Sequence, residues 1–366
     1  MHVPMSSNTG RRRPGLGRLL VLGALGLGLI AGCAPAPQAA APTAVAKTVL
    51  KLKIGTATTP PPALPESTLW LARDLGYYQR EGLDVEIIET QATPSVITAM
   101  RSGEVDVGNI NSEDVIRLTA SKDLEMRTIN SSNGRNFFMI VGKSAYGAVG
   151  ELAGKSYAVS RVGGQDDALS RKVMASKGLA ADKVNFVSIG APNVRAQALV
   201  AGQVEATTLS LATWVTVQNE KSLKVLVNAD DYFSAVPLVN KGNAVTTKVL
   251  AEKAEALRRF TAAIVKASRY FAENKAGWVD AMAKLRPDIQ KADLEYLWGE
   301  FPAAWAVNAQ MNMQAYQSST DFLYETGDFK EVPRITARDW ADTQFVDSVL
   351  KELGVYPKVD DPGRTI

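Results

Sequence analysis

Residues 99–106 read AMRSGEVD, and residues 198–205 read ALVAGQVE, a phrase of the same kind 99 residues later. Each phrase ends an apolar helical pattern, places a glycine where a helix C-cap needs one, and leads into a strand beside an acidic residue. Joints of this kind are common, so one match would carry little weight. Two matches at equivalent points of two longer series favour a chain built from two similar units.

Strand and helix patterns alternate around the first phrase. LKLKIGTA (50–57) and DVEIIET (84–90) have the period of half-buried strands, and the residues between them have helical spacing, with Ser67 as the expected helix cap. The series continues with a helix near 94–102, a strand near 105–110, a helix near 112–121 and a strand near 124–130. This β-α-β spacing predicts an α/β sheet with largely parallel strands.

The second phrase belongs to a second series, which starts after FFMIVGK (137–143). The expected strands are GKSYAVS (154–160), VNFVSIG (184–190), VEATTLS (204–210) and LKVLVNA (223–229), and the expected helices cover 167–178, 194–202 and 212–219. After residue 245 the pattern becomes helical, with an apolar stripe through 246–274 and further helices near 291–300, 308–325 and 338–353. The sequence therefore predicts two α/β units and a set of C-terminal helices.

The only cysteine, Cys33, follows a basic start and a short apolar stretch, 19–32. A bilayer-spanning helix needs roughly 20 apolar residues, so this stretch is typical of a signal peptide, here 1–32. IAGC (30–33) resembles a bacterial lipobox, in which Cys33 takes a lipid and becomes the first residue of the mature protein. The alternative is an ordinary buried cysteine behind an uncleaved anchor.

A flexible tether is expected over 33–49, because 34–48 hold three prolines, seven alanines and almost no large side chain. Residues 1–32 contain four of the 41 basic residues and none of the 38 acidic ones, so the mature chain is close to neutral. No basic patch argues for nucleic acid. The single histidine, His2, leaves with the signal peptide.

The mature chain therefore has no histidine and no free thiol. This absence excludes zinc and copper sites, Ser-His-Asp triads and Cys-His pairs. Carboxylate or lysine chemistry and oxygen-ligated calcium stay open, although no dense acidic loop of the calcium-binding kind is present. We expect no catalytic residue, no metal and no cofactor.

Several phrases together resemble the solute-binding proteins of ABC importers, in the group that serves sulfonates, nitrate, taurine and thiamine-pyrimidine precursors (NMT1/THI5-like and SsuA-like proteins). The phrases are ARDLGYY (72–78), EGLDV (81–85), the two phrases quoted first, LAGK (152–155) and WADTQFVDSVLKELG (340–354). Their order and spacing carry the resemblance, which covers nearly all of 50–354.

The resemblance implies an α/β fold of the type II periplasmic-binding-protein kind, with two lobes, two crossing hinge strands near 137–142 and 236–244, and C-terminal helices. Lobe 1 would comprise 50–138 and 242–366, and lobe 2 would comprise 139–241. The implied protein is a monomer outside the cytoplasm that captures a small organic solute and passes it to an ABC permease and its ATPase; the lipid anchor is expected independently, from the lipobox. The lipobox fits, because a tethered receptor stays beside its permease.

Ligands of open α/β sheets bind beyond the carboxyl ends of the strands, which selects a few loops. In lobe 1 these loops offer short polar groups. They are Thr58 and Thr59 after the first strand, Asn111 and Ser112 after the third, and Ser131 and Asn133 after the fourth. Other readings stay open: the threonine loop is also a rigid proline turn, and Asn111 or Ser112 also serves as a helix cap.

In lobe 2 the expected contacts are Ser160, Arg161, Gly163, Gly164, Asn193, Ser210 and Trp214. Glycines at a helix start let backbone N–H groups approach a ligand, which suits an anion, and Arg161 could add a charge. Asp166 and Asp167 lie in the same helical turn, so a neutral ligand or one of both signs stays possible. Trp214 is either a ligand contact or part of the core.

Two other functions compete with transport. One is a sensor that reports ligand occupancy to a membrane receptor. The other is an enzyme on the same fold, of the menaquinone-pathway or pyrimidine-synthase type. The pyrimidine type depends on histidine, which the mature chain lacks, and the menaquinone type acts on cytosolic substrates, which a lipobox contradicts.

Overall fold

The computed structural model describes residues 48–90, 92–133, 135–301 and 304–357. The predicted signal peptide, Cys33 and all but the last two residues of the predicted tether lie outside these described residues. Within them, no helix combines the length and the apolar character that crossing a membrane requires.

The fold is α/β. The strands are β1 (Leu50–Thr56), β2 (Leu83–Glu89), β3 (Val107–Asn111), β4 (Met126–Asn130), β5 (Phe138–Lys143), β6 (Ser156–Val159), β7 (Asn185–Ser188), β8 (Ala206–Ser210), β9 (Leu223–Val227) and β10 (Lys241–Thr246). The α-helices are α1 (Thr68–Asp74), α2 (Tyr77–Arg80), α3 (Thr93–Ser102), α4 (Ser112–Ala120), α5 (Gln165–Ser176), α6 (Pro192–Val200), α7 (Leu211–Val215), α8 (Ala229–Ala235), α9 (Thr247–Glu252), α10 (Ala254–Glu273), α11 (Lys275–Leu285), α12 (Lys291–Gly299), α13 (Met313–Tyr324) and α14 (Gln344–Leu353).

The first sheet has the strand order β2-β1-β3-β10-β4. β1 pairs in parallel with β2 and β3, which confirms the expected β-α-β units. β10 pairs antiparallel with β3 and β4, so the expectation of largely parallel pairing is wrong for this part of the sheet. The reason is that β10 arrives from the second sheet and therefore enters the first sheet from the opposite end.

The second sheet repeats this plan with the order β7-β6-β8-β5-β9. β6 is parallel to β7 and β8, whereas β5 is antiparallel to both β8 and β9. The fourth strand in the order is β10 in the first sheet and β5 in the second. Each is the strand that the chain enters directly after leaving the other sheet. The two series predicted from the sequence are thus two sheets of the same strand plan.

Two segments carry the chain between the sheets, 131–137 between β4 and β5, and 236–240 between α8 and β10. We call them the crossing segments. The Asn136 side chain of the first donates to the Leu238 carbonyl of the second at 3.0 Å. The crossings were expected near 137–142 and 236–244. These ranges overlap the crossing segments and extend into β5 and β10. The proposed lobe boundaries, 50–138 with 242–366 and 139–241, stay a prediction.

The joint that the two quoted phrases predicted is confirmed. Gly103 ends α3 and Gly202 follows α6, with φ of 77° and 73°, a left-handed conformation that glycine adopts without strain. The acidic residues then dock equivalently, because the Asp106 amide donates to Lys53 of β1 and the Glu205 amide donates to Ser156 of β6. The same helix–glycine–strand joint therefore builds both sheets.

A buried chain of asparagines ties β10 into the first sheet. Asn109 of β3 donates to Asn243 of β10 at 2.9 Å, and Asn243 donates to Asn130 of β4 at 2.7 Å. Asn130 donates in turn to Thr261 of α10 at 2.8 Å. All four residues are buried, so a shift of β10 by one residue would leave amides without partners.

Several predicted helix details differ from the structure. Ser67 precedes α1 but does not cap it, because its hydroxyl accepts a hydrogen bond from the indole of Trp278. The helix expected over 308–325 begins at Met313, after an asparagine cap, and the one expected over 338–353 begins at Gln344. α8 was not expected. Its seven residues have only one buried side chain, Tyr232, so they carry little periodic signal.

Candidate functional site

The carboxyl ends of the parallel strands in the two sheets face each other across the crossing segments. In the first sheet β1, β3 and β4 end on the side where β10 begins. In the second sheet β6, β7 and β8 end on the side where β5 begins. The first crossing segment joins the end of β4 to the start of β5, so the loops predicted as ligand contacts leave each sheet at the end that the crossing segments connect. We call the space between these two sheet ends the cleft.

Four polar side chains meet beside the crossing segments, and we call them the Glu66 cluster. The Glu66 carboxylate pairs with Lys241 Nζ at 2.6 Å and accepts from Asn133 Nδ2 at 3.3 Å and Thr58 Oγ1 at 3.5 Å. The side chains of Glu66 and Lys241 are only 8% and 14% exposed, so the pairing offsets the cost of burying two charges. The structure thus brings the predicted Thr58 and Asn133 together.

Sequence reasoning missed Glu66 and Lys241. The only signal available was a single charged residue in each of two weakly polar stretches, PALPES (62–67) and VPLVNKGNAV (236–245). A lone charge in such a stretch is a candidate for a buried pair, because an unpaired buried charge is costly.

Thr59 turns away from the Glu66 cluster. Its hydroxyl donates to Glu89 at the end of β2 at 2.8 Å, and the Trp70 indole donates to the same carboxylate at 2.8 Å. The peptide bond between Thr59 and Pro60 is cis. The hydrogen bonds to Glu89 favour the interpretation that the loop with Thr59 is a rigid turn.

The start of α4 contacts the second crossing segment. Asn111 occupies the N-cap position, but neither its side chain nor that of Ser112 caps the helix. Ser112 instead donates from its hydroxyl to the Val239 carbonyl at 3.0 Å and from its amide to the Asn240 carbonyl at 2.9 Å. Ser112 therefore holds the crossing segment, and the capping reading is wrong for its hydroxyl.

Ser131 has a similar role in the first crossing segment. Its hydroxyl donates to the Lys241 carbonyl at 3.0 Å and accepts from the Asn133 amide at 3.1 Å. The residue is 2% exposed. Both of these bonds are internal to the protein. The Ser131 hydroxyl therefore holds the backbone of Lys241 and Asn133, two members of the Glu66 cluster, in place.

Asp114, in the first turn of α4, is a carboxylate without a hydrogen-bond partner among the described residues. Burial raises the pKa of its carboxyl to about 6, and the neighbouring Glu113 raises this pKa further while Arg117 lowers it. A carboxyl in this state changes charge near neutral pH, unlike an exposed aspartate.

Most N–H groups of the loop 160–164 are already bonded within the protein. The Ser160 amide donates to Asp166 at 2.7 Å, the Val162 amide to Ser188 Oγ at 3.0 Å, and the Gly163 amide to Asp167 at 2.7 Å. Of the two interpretations left open for this helix start, the structure favours the one in which Asp166 and Asp167 already satisfy its donors, and this disfavours an anion there.

The two glycines of this loop also differ. Gly163 has φ of 86°, as expected, whereas Gly164 has φ of −82°, which any residue adopts. Only Gly163 needs the conformational freedom of glycine.

Arg161 connects the two sides of the cleft. Its guanidinium forms two hydrogen bonds with the Asp328 carboxylate, and Arg117 of α4 donates to the Asp328 carbonyl at 2.9 Å. Pairing with Arg161 lowers the pKa of the Asp328 carboxyl, and Asp328 raises the pKa of Arg161, with a smaller contribution from Glu113. The loop after β6 thus lies close to the start of α4. Asp328 is a third residue that sequence reasoning missed, after Glu66 and Lys241.

The remaining predicted contacts lie apart from the Glu66 cluster. Ser210 caps α7, accepting from the Thr213 amide at 3.2 Å. Trp214 is 9% exposed and shares a core with Leu294 and Leu297 of α12, which favours its core reading. Asn193 is exposed in the first turn of α6.

Arg195 is a buried cation of the second sheet that was not expected. It donates to Thr207 Oγ1 at 3.2 Å and to the Thr208 carbonyl at 3.1 Å, and lies 3.7 Å from the Asp166 carboxylate. Burial lowers its pKa, and Asp166 opposes this shift. Asp166 thereby ties Arg195 to the loop that begins at Ser160.

A small cavity of about 50 Å³ lies between the crossing segments and the start of α13. It is lined by both crossing segments and by neighbouring residues: Asn133, Arg135, Asn136, Phe233, Pro237, Leu238, Val239, Asn240, Lys241, Gln310, Asn312 and Ala315. Two of these lining residues have a buried polar atom, Asn133 Oδ1 and Arg135 Nε, without a hydrogen-bond partner in the part of the chain that the structure describes. We call it the crossing cavity.

The described part of the chain contains no group of three or more His, Cys, Asp or Glu side chains placed to hold a metal ion. Its cleft instead offers hydroxyls, amides and paired charges. Such groups can hold and orient a small polar molecule.

Comparison with models of known families identifies the family of this chain. The family model described as NMT1/THI5 like matches residues 67–276, which is more than half of the chain. The chain belongs to the NMT1/THI5-like family. The match begins at Ser67, after β1 and the loop with Thr58 and Thr59, and ends at the start of α11, so it covers strands β2 to β10.

Relatives of this NMT1/THI5-like protein are described as binding proteins. A binding protein of Brucella abortus is 24% identical over 225 residues, which are 62% of this chain and 69% of the relative. The fold is that of periplasmic binding proteins, as two solved structures show. The periplasmic sulfonate-binding protein SsuA from Methylobacillus flagellatus has a TM-score of 0.69 at 16% identity, covering 87% of this chain and 99% of its own. The periplasmic nitrate-binding protein NrtA from Synechocystis has a TM-score of 0.63 at 16% identity, covering 87% and 93%.

Proposed function

We propose that this NMT1/THI5-like protein is a solute-binding protein of an ABC importer. It holds a small organic solute in the cleft and presents it to a permease and its ATPase. The observation that carries the proposal is the arrangement of two sheets of equal plan whose strand ends face each other across two crossing segments, in a chain of this family. The same arrangement supports the lobe boundaries given above.

Binding rather than catalysis is the expected activity. The mature chain lacks histidine and a free thiol, and the cleft side chains that could act as acid or base are mostly paired. Incubation of the protein with its solute should return the solute unchanged at one equivalent per protein. Steady conversion of any bound compound would show an enzyme.

A thermal-shift screen of residues 34–366 tests the solute-binding proposal directly. The panel contains alkyl and aromatic sulfonates, carboxylates, nitrate, pyrimidines and amides. A true solute raises the melting temperature in a concentration-dependent way, since binding to the folded state adds stability. Calorimetry and small-angle scattering of the same sample should then show saturable binding with a smaller radius of gyration. The proposal fails if no compound and no cell extract stabilises the protein.

We further propose that the protein is exported and anchored through a lipid on Cys33. Mass spectrometry of protein from its native membrane should show an N-terminus at Cys33 that bears acyl chains. A Cys33→Ala variant should leave the membrane fraction. An N-terminus that retains the arginines at 11–13 and 18, or a variant that stays membrane-bound, contradicts the anchor without touching the solute-binding proposal.

A further inference from the structure

Helix α13 is shared between the cores of the two sheets. Its Tyr316 and Leu323 are buried in the core that also contains Met126 of β4 and Ala244 of β10. Phe322, the residue before Leu323, is 5% exposed and lies instead in the core of the second sheet. One helix thus contacts the cores on both sides of the cleft.

The second sheet and its helices surround the ring of Phe322. Lys172 Nζ of α5 lies 4.9 Å from the centre of this ring. A cavity of about 370 Å³ borders the ring and is also lined by Ala235 of α8 and by the second crossing segment at 236–238. The cavity leaves part of the seam between α13 and the second sheet unfilled, so the contact depends strongly on Phe322.

A second contact joins the C-terminal helices to the second sheet at α12. Leu294 and Leu297 of α12 share a core with Trp214 of α7, and all three side chains are buried. Beside them, Gln218 Nε2 donates to Asp293 Oδ1 at 3.1 Å. Because α7 directly follows β8, α12 is packed against the helical layer of the second sheet.

These two contacts lie on opposite faces of the first sheet. The core with α12 includes Val245 of β10, and the core with α13 includes Ala244. Consecutive residues of a strand point to opposite faces of its sheet. The second sheet is therefore held by α12 on one face and by α13 on the other, and we call the two contacts together the clasp.

Opening of the cleft would strain the clasp. Two units joined by short crossing segments usually move relative to each other, unless an apolar interface holds them. If the second sheet moves away while α12 and α13 stay packed on the first, the side chains of Phe322 and Trp214 lose apolar contacts. Exposure of apolar surface to water costs free energy, so the clasp opposes this movement.

We propose that the clasp limits how far the cleft opens when it is empty. The inference rests on the proposed function, because it concerns the regulation of the cleft that takes up the solute. A minor open fraction admits the solute, which then closes the cleft through its higher affinity for the closed form.

Two spin labels measure the opening. Residues 34–366 contain no cysteine, so Glu86→Cys on β2 and Val187→Cys on β7 provide two unique labelling sites. Both side chains are exposed. β2 and β7 are the edge strands farthest from β10 and β5, which adjoin the crossing segments, so their separation responds most to opening. Without solute, double electron–electron resonance should give a main distance equal to the separation in the structure.

A variant of Phe322 tests the clasp. Phe322→Ala removes the ring and should move the main distance to larger values, by more than the width of the parent's distribution. Phe345→Ala is the matched control, because Phe345 is also 5% exposed but lies on α14, which packs on α10 and β4. It should leave the distance unchanged. Equal distributions for Phe322→Ala and the parent, or an equal shift in Phe345→Ala, overturn the proposal.

The labelled parent decides the question even if Phe322→Ala does not fold. A main distance well beyond the separation in the structure would show that the empty cleft opens freely despite both contacts, and the proposal fails. If Phe322→Ala lengthens the distance while no compound of the thermal-shift panel binds, the clasp stands and the solute-binding function falls. If panel compounds bind while Phe322→Ala leaves the distance unchanged, the function stands and the clasp falls.

Discussion

Asp114 makes the stability of this protein depend on pH in an unusual direction. Its carboxyl has a pKa of about 6 in the fold, above the value of an unfolded chain, so the proton stabilises the folded state. Below a pH of about 4, Asp114 is protonated in both the folded and the unfolded chain and does not change the free energy of unfolding. As the pH rises from there to 6, the residue lowers the free energy of unfolding more and more. Asp114→Asn should therefore stabilise the protein at pH 7.5 by about 1–3 kcal/mol and have little effect at pH 4, as measured by urea unfolding.

Asp123 provides the opposite control. Its carboxyl is exposed, and its hydrogen bond with Arg101 lowers its pKa. Asp123→Asn should therefore reduce stability above pH 4 and change it least in acid. A loss of stability in Asp114→Asn at pH 7.5 would show that the carboxylate has a favourable partner.

Gly163 should be the glycine of its loop that tolerates substitution least. A Cβ there meets open space, so the cost comes from φ of 86° alone and should be about 1 kcal/mol for Gly163→Ala. Gly150→Ala is the matched control, since Gly150 also faces open space but has no such φ, and its unfolding midpoint should barely change. Equal midpoints for the two variants would contradict a strained loop.

At the scale of single residues, the sequence predicted which loops carry polar groups but not which partners they choose. Gly163 was predictable because a glycine at a strand-to-helix joint signals backbone freedom. The partners of Ser112 and Ser160 were not, because a hydroxyl bonds a backbone group or a nearby carboxylate equally well, and only the tertiary arrangement selects one.

At the scale of elements, the asparagine chain should determine the pairing of β10. Asn243→Ala removes the acceptor of Asn109 and the donor to Asn130 in a buried place, so we expect a loss of about 2–4 kcal/mol. Asn185→Ala is the control, because Asn185 is an exposed strand residue whose side chain bonds a single carbonyl. Its loss should stay below about 0.5 kcal/mol. A similar, small loss for both variants would show that β10 is held by its backbone bonds alone.

The strands and most helices were predictable because their signals are local: alternation in β1 and β2, and the apolar stripe of α10. The place of β10 between β3 and β4 was not, since nothing within Lys241–Thr246 indicates which strands it will join. Its pairing is set by where the chain returns from the second sheet, which is a property of the whole topology.

At the scale of the molecule, the contact between Arg161 and Asp328 should favour the closed cleft. Arg161 is 60% exposed, so a double-mutant cycle of Arg161→Ala and Asp328→Ala should give a coupling of about 0.5–1 kcal/mol that declines with salt. Small-angle scattering should show a larger radius of gyration for Arg161→Ala without solute.

The pair of Lys172 and Glu325 is the control for this cycle. Its atoms are 3.8 Å apart and its side chains are 47% and 68% exposed, so its coupling should be close to zero. Equal coupling in both cycles, or an unchanged radius of gyration, would show that Arg161 and Asp328 do not influence closure.

Because β10 is the last strand in the sequence, it also determines the order in which the two sheets can form. A chain that emerges amino end first, from a ribosome or a translocation pore, presents β3 and β4 long before the strand that joins them. Until then the exposed edges of both strands invite pairing with other chains. The second sheet, by contrast, comes from the uninterrupted stretch between β5 and β9 and can close first. The sheet that is synthesised first is thus completed last, and nascent chains that stop before residue 246 should depend on chaperones to avoid aggregation.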